Sequence, residues 1–317
     1  MLFSLIQAEN WMWGYQLQIF LCCFWLLLGI WALGSFESNG TFVLAIVVGV
    51  LSSFSFANGL LYWFLLFPLV LVQANGRVRG LIWVVAAVVV LFVYFAGYES
   101  PKRLGSPFDA VYHPVEFMRF FCTLIGAPIS RAPSTGNALP AIVGLLGIVV
   151  WLGVTYFLSR RLGWKCLLPI LILAMFALAS AGLVSAGRLP KTLDFLADGV
   201  HEPYRIALAS KYTTFSQFFW VALLLQLYVL AGIVKDSLVS RFAYRTIGVA
   251  ACAYLAVSAS HYHTFQQRSD MITKGRDAIL AGELQHPDIK GVVWSGKLLR
   301  HRVPVLQRYR YSLFRTD

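Results

Sequence analysis

Long apolar runs alternate along this chain with short polar turns. Seven stretches hold no Asp, Glu, Lys or Arg: 15–34, 41–73, 81–98, 140–158, 166–186, 214–234 and 246–260. A membrane-crossing helix takes roughly 17–25 residues at about 1.5 Å each, and six of the seven stretches suit one crossing. The stretch 41–73 is too long for one crossing and short for two. Asn58-Gly59, a helix-breaking pair, falls near its middle. The pattern predicts two short helices, 41–57 and 59–73, with Pro68 kinking the second. That makes eight membrane segments, or seven if 41–73 is one long tilted helix.

Composition narrows the class. The chain is 59% hydrophobic and 13% charged, against about 25% charged residues in a soluble domain. An ordinary soluble domain, a disordered chain and a coiled coil are all excluded, and an all-α polytopic membrane protein remains. The polar character rises sharply near residue 264, which predicts a transmembrane domain over 1–263 and a basic extramembrane tail over 264–317. Within the tail, Ser269 is placed to cap a helix over SDMITKGRDAILAGEL. The first fourteen residues lack a basic n-region and a small-residue cleavage site, so no cleavable leader is expected. Four of the five cysteines lie in or at the edge of apolar runs, which suits neither a disulfide framework nor a zinc site.

Charge sets the orientation. Three short loops are basic: 74–80 with Arg77 and Arg79, 159–165 with Arg160, Arg161 and Lys165, and 235–245 with Lys235, Arg241 and Arg245. Even numbers of crossings separate them, so all three share one side, which the positive-inside rule makes cytoplasmic. The alternate loops, 99–139 and 187–213, are longer and mix both signs. The termini and the tail, with ten basic and five acidic residues, then lie outside. The tail is the exception to the charge rule, and its basic residues are interleaved with acids and carry no nucleic-acid-binding motif.

Polar and aromatic clusters gather at the outer ends of the predicted helices. They are Glu9–Gln16, Ser52–Gly59, Tyr94–Pro101, Ser185–Arg188, Ser210–Thr214 and His261–His263. Interfacial aromatic belts and small-residue packing explain each one singly, whereas their shared side points to a site at the outer face. The outer basic residues Lys102, Arg103, Arg119, Arg131, Arg188, Lys191, Arg205 and Lys211 suit either phosphate or lipid headgroups. Arg188 and Lys211 stand out because each sits in a small or hydroxylic context at a predicted helix end. Tyr212, Thr213 and Thr214 add N-capping hydroxyls. Arg188, Lys211, Tyr212, Asn58 and Gln16 are the candidate binding residues. All six histidines fall on the outer side; interfacial capping explains them better than a metal site, and no cofactor motif is present. The predicted membrane runs hold no ionisable side chain, which argues against ion-coupled transport but leaves an uncoupled lipid or glycolipid transporter open.

The succession ENWMWGYQLQIFL, SSFSFANGLLYW, YFAGYESP, AGR, ASKYTTFSQFFW and HPDIKGV resembles a group of bacterial multi-pass membrane proteins of uncharacterised activity. Their longer members resemble the GT-C class of glycosyltransferases. The resemblance spans most of residues 9–317 and implies an inner-membrane envelope protein acting on a polyprenyl-phosphate-linked sugar at the outer face. The longer members carry a further N-terminal region with an Asn-Glu-His-Arg-like motif, and the GT-C catalytic acid lies in a first outer loop within it. This chain begins just before Glu9-Asn10, so Glu9 is the one acid near the expected place. The resemblance therefore implies either a glycosyltransferase, or its membrane half completed by a second chain. A non-catalytic scaffold or assembly subunit is the alternative.

The orientation is checked by single cysteines in a cysteine-free background, probed in intact cells with an impermeant thiol reagent. Ser106→Cys, Ser210→Cys and Ser295→Cys are expected to react and Ser240→Cys is not. The opposite pattern reverses the orientation.

Overall fold

Among the residues that the computed structural model describes, 16–35, 38–98, 109–130, 138–198, 203–234, 238–283 and 286–288, every regular element is a helix. In chain order they are α1 (Leu17–Ser35), α2 (Asn39–Ser55), a 3-10 turn (Ala57–Leu60), α3 (Leu61–Leu71), α4 (Gly76–Phe95), α5 (Asp109–Tyr112), α6 (Pro114–Ser130) and α7 (Ala138–Leu162). Then follow α8 (Trp164–Ala197), a 3-10 turn (Pro203–Ile206), α9 (Ser210–Ile233), α10 (Leu238–Ser260) and α11 (Tyr262–Leu280). Helices α1, α4, α7, α8, α9 and the stretch opening with α10 are long and apolar enough to cross a bilayer, and α2 and Ala57–Leu71 are shorter apolar helices. The protein is an all-α polytopic membrane protein. It divides into two compact units, Met1–Ser258 and Ala259–Asp317.

The stretch 41–73 breaks, as its Asn-Gly pair predicts. Phe56 adopts an extended conformation (φ −156°, ψ 149°) that ends α2, and a 3-10 turn carrying Asn58 and Gly59 leads into α3. Glycine is required at 59 by close approach, because a Cβ there would collide with the Ser52 carbonyl. α2 and α3 return against each other. Tyr62 Oη donates to the Ala45 carbonyl at 2.7 Å and Trp63 Nε1 donates to Ser53 Oγ at 2.9 Å. Both rings lie over Gly49, where a side chain would displace them. Trp83 of α4 donates to the Trp63 carbonyl at 2.9 Å, closing a buried knot of three large rings.

The far end of this hairpin is tied by a buried cation. Arg79, on the first turn of α4, is 7% exposed. Its guanidinium donates to Gln73 Oε1 at 3.1 Å and Asn39 Oδ1 at 3.0 Å, and lies 5.4 Å from the Phe42 ring centre. Gln73 in turn donates to the Leu33 carbonyl at 2.6 Å. The turn after α1 and the turn after α3 thus meet at one end of the bundle, and the Phe56 break lies at the other.

Helix α6 was not expected. Residues 99–139 read as an outer loop, yet α6 packs against α7, α8 and α9. From Phe120 to Ser130 none of its residues is exposed. Its contact with α7 is backbone on backbone: a Cβ on Gly126 would strike the Pro140 carbonyl, and one on Gly144 the Cys122 carbonyl. Trp220 of α9 donates to the Ile125 carbonyl at 2.7 Å. An uncharged run of this length is too short to span but suits a buried or re-entrant helix.

Several helix ends lie beyond the charge-free runs. α4 begins at Gly76 and carries Arg77 and Arg79. α7 runs to Leu162 and meets α8 across Gly163 alone, whose φ of 80° suits glycine. α8 continues to Ala197 through Pro190, so Arg188 lies on the helix rather than leaving it. α10 starts at Leu238 and includes Arg241 and Arg245. Charge-free runs mark the hydrocarbon, whereas helices continue through the interface where long cationic side chains reach water. In the second unit α11 starts at Tyr262, so Ser269 is interior to the helix and does not cap it. The intervening Gln266, Gln267 and Arg268 are good helix formers. Ser240 is buried, donating to the Ala231 carbonyl at 3.2 Å, so exposed Lys165 is the better reporter for the side expected to be inner.

The α6–α7 contact generates a stability test. Gly126→Ala is expected to lose about 1–3 kcal/mol through overpacking. Gly153→Ala, with nothing within 4 Å of its added carbon, is expected to be neutral or slightly stabilising. Thermal unfolding of the purified protein in detergent reads both; equal midpoints would contradict the close contact.

Candidate functional site

Three elements meet at the end of the first unit that the charge rule would put outside: the break after α2, the last third of α8 and the first turns of α9. Phe56, at the break, stacks on Phe215 of α9 with ring centres 5.7 Å apart. Phe176 of α8 meets the same Phe215 edge-on at 5.9 Å. These aromatic contacts hold the three elements together without using any polar group, and that leaves the neighbouring polar side chains available.

Arg188 Nε donates to Tyr212 Oη at 2.9 Å. Tyr212 is buried and Arg188 half-buried. The contact exists because α8 is unusually long. Arg188 stands about 36 Å along the axis from Trp164 at the helical rise, a length greater than the roughly 30 Å thickness of a hydrocarbon core. The Thr192 hydroxyl donates to the Arg188 carbonyl at 3.2 Å, two residues after Pro190. The guanidinium has no carboxylate partner among the described residues.

Among the described residues six buried side-chain atoms have no hydrogen-bond partner: Ser52 Oγ, Asn58 Nδ2, Trp151 Nε1, Ser180 Oγ, Thr213 Oγ1 and Ser216 Oγ. Asn58 is 6% exposed, Thr213 2%, and Ser180 and Ser216 0%. Asn58 is two residues from Phe56, Thr213 and Ser216 bracket Phe215, and Ser180 lies one turn beyond Phe176. A buried polar group left unpaired costs about 1–3 kcal/mol, so these groups lower the stability of the protein as it stands. No Asp or Glu is buried among the described residues.

Of the residues singled out in sequence, Arg188 and Tyr212 are brought into direct contact. Asn58 is tied to α9 through its neighbour Phe56. Gln16 is buried at the start of α1. Lys211 is the second residue of α9, with Ala209 in the cap position and no side-chain cap, so Tyr212, Thr213 and Thr214 are helical rather than capping; the helix starts earlier than its charge-free run. Glu9, Lys102, Arg103 and Arg131 lie outside the described residues. Two other cations of the loops expected outside are engaged with rings: Arg119 sits 4.6 Å over Tyr204, and Lys191 5.8 Å over Phe195. Burial pushes the Tyr204 phenol above its ordinary range, while Arg119 draws it back and Glu116 adds to the rise. In the second unit His261 Nδ1 pairs with Ser260 Oγ at 3.3 Å and His263 Nε2 with Gln267 at 3.0 Å. No group of three metal-binding side chains gathers among the described residues.

Ser180 and Ser216 escaped the sequence reading. A signal for Ser216 was present, since Thr213, Ser216, Gln217 and Trp220 recur at spacings of three and four, one face of a helix. Gln217 on that face donates to Tyr254 Oη of α10 at 3.2 Å. Ser180 had no such signal, because it sits in an ordinary Ala-Ser-Ala-Gly packing stretch.

Thr213→Val and Ser216→Ala remove unpaired hydroxyls at nearly constant shape. Each is expected to raise the thermal midpoint of the ligand-free protein, by up to about 1–3 kcal/mol of stability. A lowered midpoint in both would mean that these oxygens have partners. No family model, no curated protein and no solved structure matches this chain.

Proposed function

We propose that this protein binds the phosphate of a lipid-linked ligand at the outer face of the bacterial inner membrane. In the reading that the family resemblance implies, the ligand is a polyprenyl-phosphate-linked sugar and the chain is a GT-C-like glycosyltransferase, or its membrane half. The observation that supports this is Arg188: a half-buried guanidinium, held by Tyr212, without a carboxylate partner among the described residues. An arginine already neutralised by an acid would have little left for an anion; one oriented by a phenol keeps its full charge. The neighbouring unpaired groups of Asn58, Thr213 and Ser216 supply neutral hydrogen bonds of the kind that hydroxyl-bearing ligands take up.

The acid–base half of glycosyl transfer requires a carboxylate, and the described residues bury none. The candidate acid, Glu9, lies outside the described residues, and the alternative reading is a non-catalytic membrane subunit that holds the lipid while a partner chain supplies the chemistry. Both readings share the phosphate site and differ in turnover.

A charge-assisted contact to phosphate is worth about 1.5–3 kcal/mol, so Arg188→Ala is expected to weaken polyprenyl-phosphate binding about 10- to 150-fold. Lys211→Ala is expected to act similarly, Tyr212→Phe to cost less than Arg188→Ala, and Lys102→Ala to do little. Binding is measured on the purified full chain in detergent, alongside envelope glycan modification in cells. Small, equal effects at all three cations with normal expression would assign them to headgroup anchoring instead.

A further inference from the structure

The opposite end of the bundle carries a second cationic feature that the outer-face reading does not use. α10 opens against the last turn of α9, where Ser240 reaches the Ala231 carbonyl. Ser240 and Ala243 turn inward and are buried, which leaves Leu238, Arg241, Phe242 and Arg245 on the outward face. With Val239 these residues line a half-open groove of about 370 Å3. Leu238 is 76% exposed and Phe242 65%. Arg241 and Arg245 are four residues apart and therefore neighbours on the helix surface. Neither has an ion-pair partner among the described residues.

Two adjacent guanidiniums without a counter-charge among the described residues, bordered by exposed Leu and Phe, match a molecule that joins an anion to an apolar chain. A soluble phosphate would satisfy the arginines and leave Leu238 and Phe242 in place beside it. A zwitterionic lipid carries its own cation next to its phosphate. This end also carries the basic turns 74–80 and 159–165, the side that faces the anionic cytoplasmic leaflet. The basic cluster at the end of α7 is different, because Arg161 folds back over Phe157 at 5.5 Å.

We propose that Leu238, Arg241, Phe242 and Arg245 form a binding site for the headgroup and upper acyl chain of an anionic phospholipid of the adjacent leaflet. The two arginines grip the phosphate, and Leu238 and Phe242 receive the chain. The site is independent of Arg188 and of any sugar chemistry.

The test uses the full chain in nanodiscs of phosphatidylcholine containing a minor fraction of phosphatidylglycerol, with retained lipid read by native mass spectrometry. Arg241→Gln and Arg245→Gln are each expected to lower the preference for phosphatidylglycerol about fivefold, and the double variant to abolish it. Arg241→Lys with Arg245→Lys keeps the charge, loses the bidentate geometry and is expected to fall between. Arg160→Gln with Arg161→Gln is expected to leave the preference unchanged. The proposal is overturned if that control lowers the preference as much as the α10 pair, because the attraction is then a diffuse field. It is also overturned if excess inorganic phosphate displaces the lipid, or if the α10 double variant binds phosphatidylglycerol normally.

Discussion

Hydrocarbon offers no hydrogen bonds, so each polar group that enters it must bring or find a partner within the protein. Nearly every distinctive contact in the first unit answers that constraint. Backbone groups satisfy themselves in helices. Tyr62, Trp83 and Trp220 donate to main-chain carbonyls of neighbouring helices. Thr155 and Gln226 exchange hydrogen bonds between α7 and α9 at 3.1 and 3.0 Å. Against this background, the six unpaired buried atoms are informative, and those of Asn58, Thr213 and Ser216 lie within three residues of Phe56 or Phe215 in the chain. Phe56 itself marks the break inside the 41–73 apolar run.

Close approach is the second organising element, and glycine supplies it. Gly49 admits the Tyr62 and Trp63 rings, Gly59 lies on the Ser52 carbonyl, and Gly126 and Gly144 let α6 and α7 touch through their backbones. In lipid, where helices gain little from burying apolar surface against one another, such van der Waals contact carries much of the association. The exposed valines of α4, with α4 itself only marginally buried, fit a helix that presents one side to lipid.

How much of this was legible in the residues depends on which signal each element left. The apolar runs located α1, the α2–α3 pair, α4 and α7 to α10, since excluding charge from hydrocarbon is an unforgiving rule. They misplaced the ends, because Arg77, Arg188, Arg241 and Arg245 ride on helices into the interface. α6 was lost because its apolar half is too short to read as a span and sits between charged residues in what looked like a loop. At the site, Arg188 and Tyr212 stood out by context and do meet. Ser180 could not be found that way, since a serine among alanines reads the same whether it packs or waits for a ligand. Its orphaned state depends on what the neighbouring helix presents, which only the tertiary arrangement reveals.

The Arg79 node orders events in time as well as in space. Asn39 and Gln73 are synthesised before Arg79, and Leu33, whose carbonyl Gln73 holds, earlier still. The short helices α2 and α3 therefore leave the ribosome with their joining amides unclamped. The clamp closes when the first turn of α4 arrives with its guanidinium. The same arginine thus completes the two turns made before it, so α1 to α3 can be locked together at this end only once the first turn of α4 is in place.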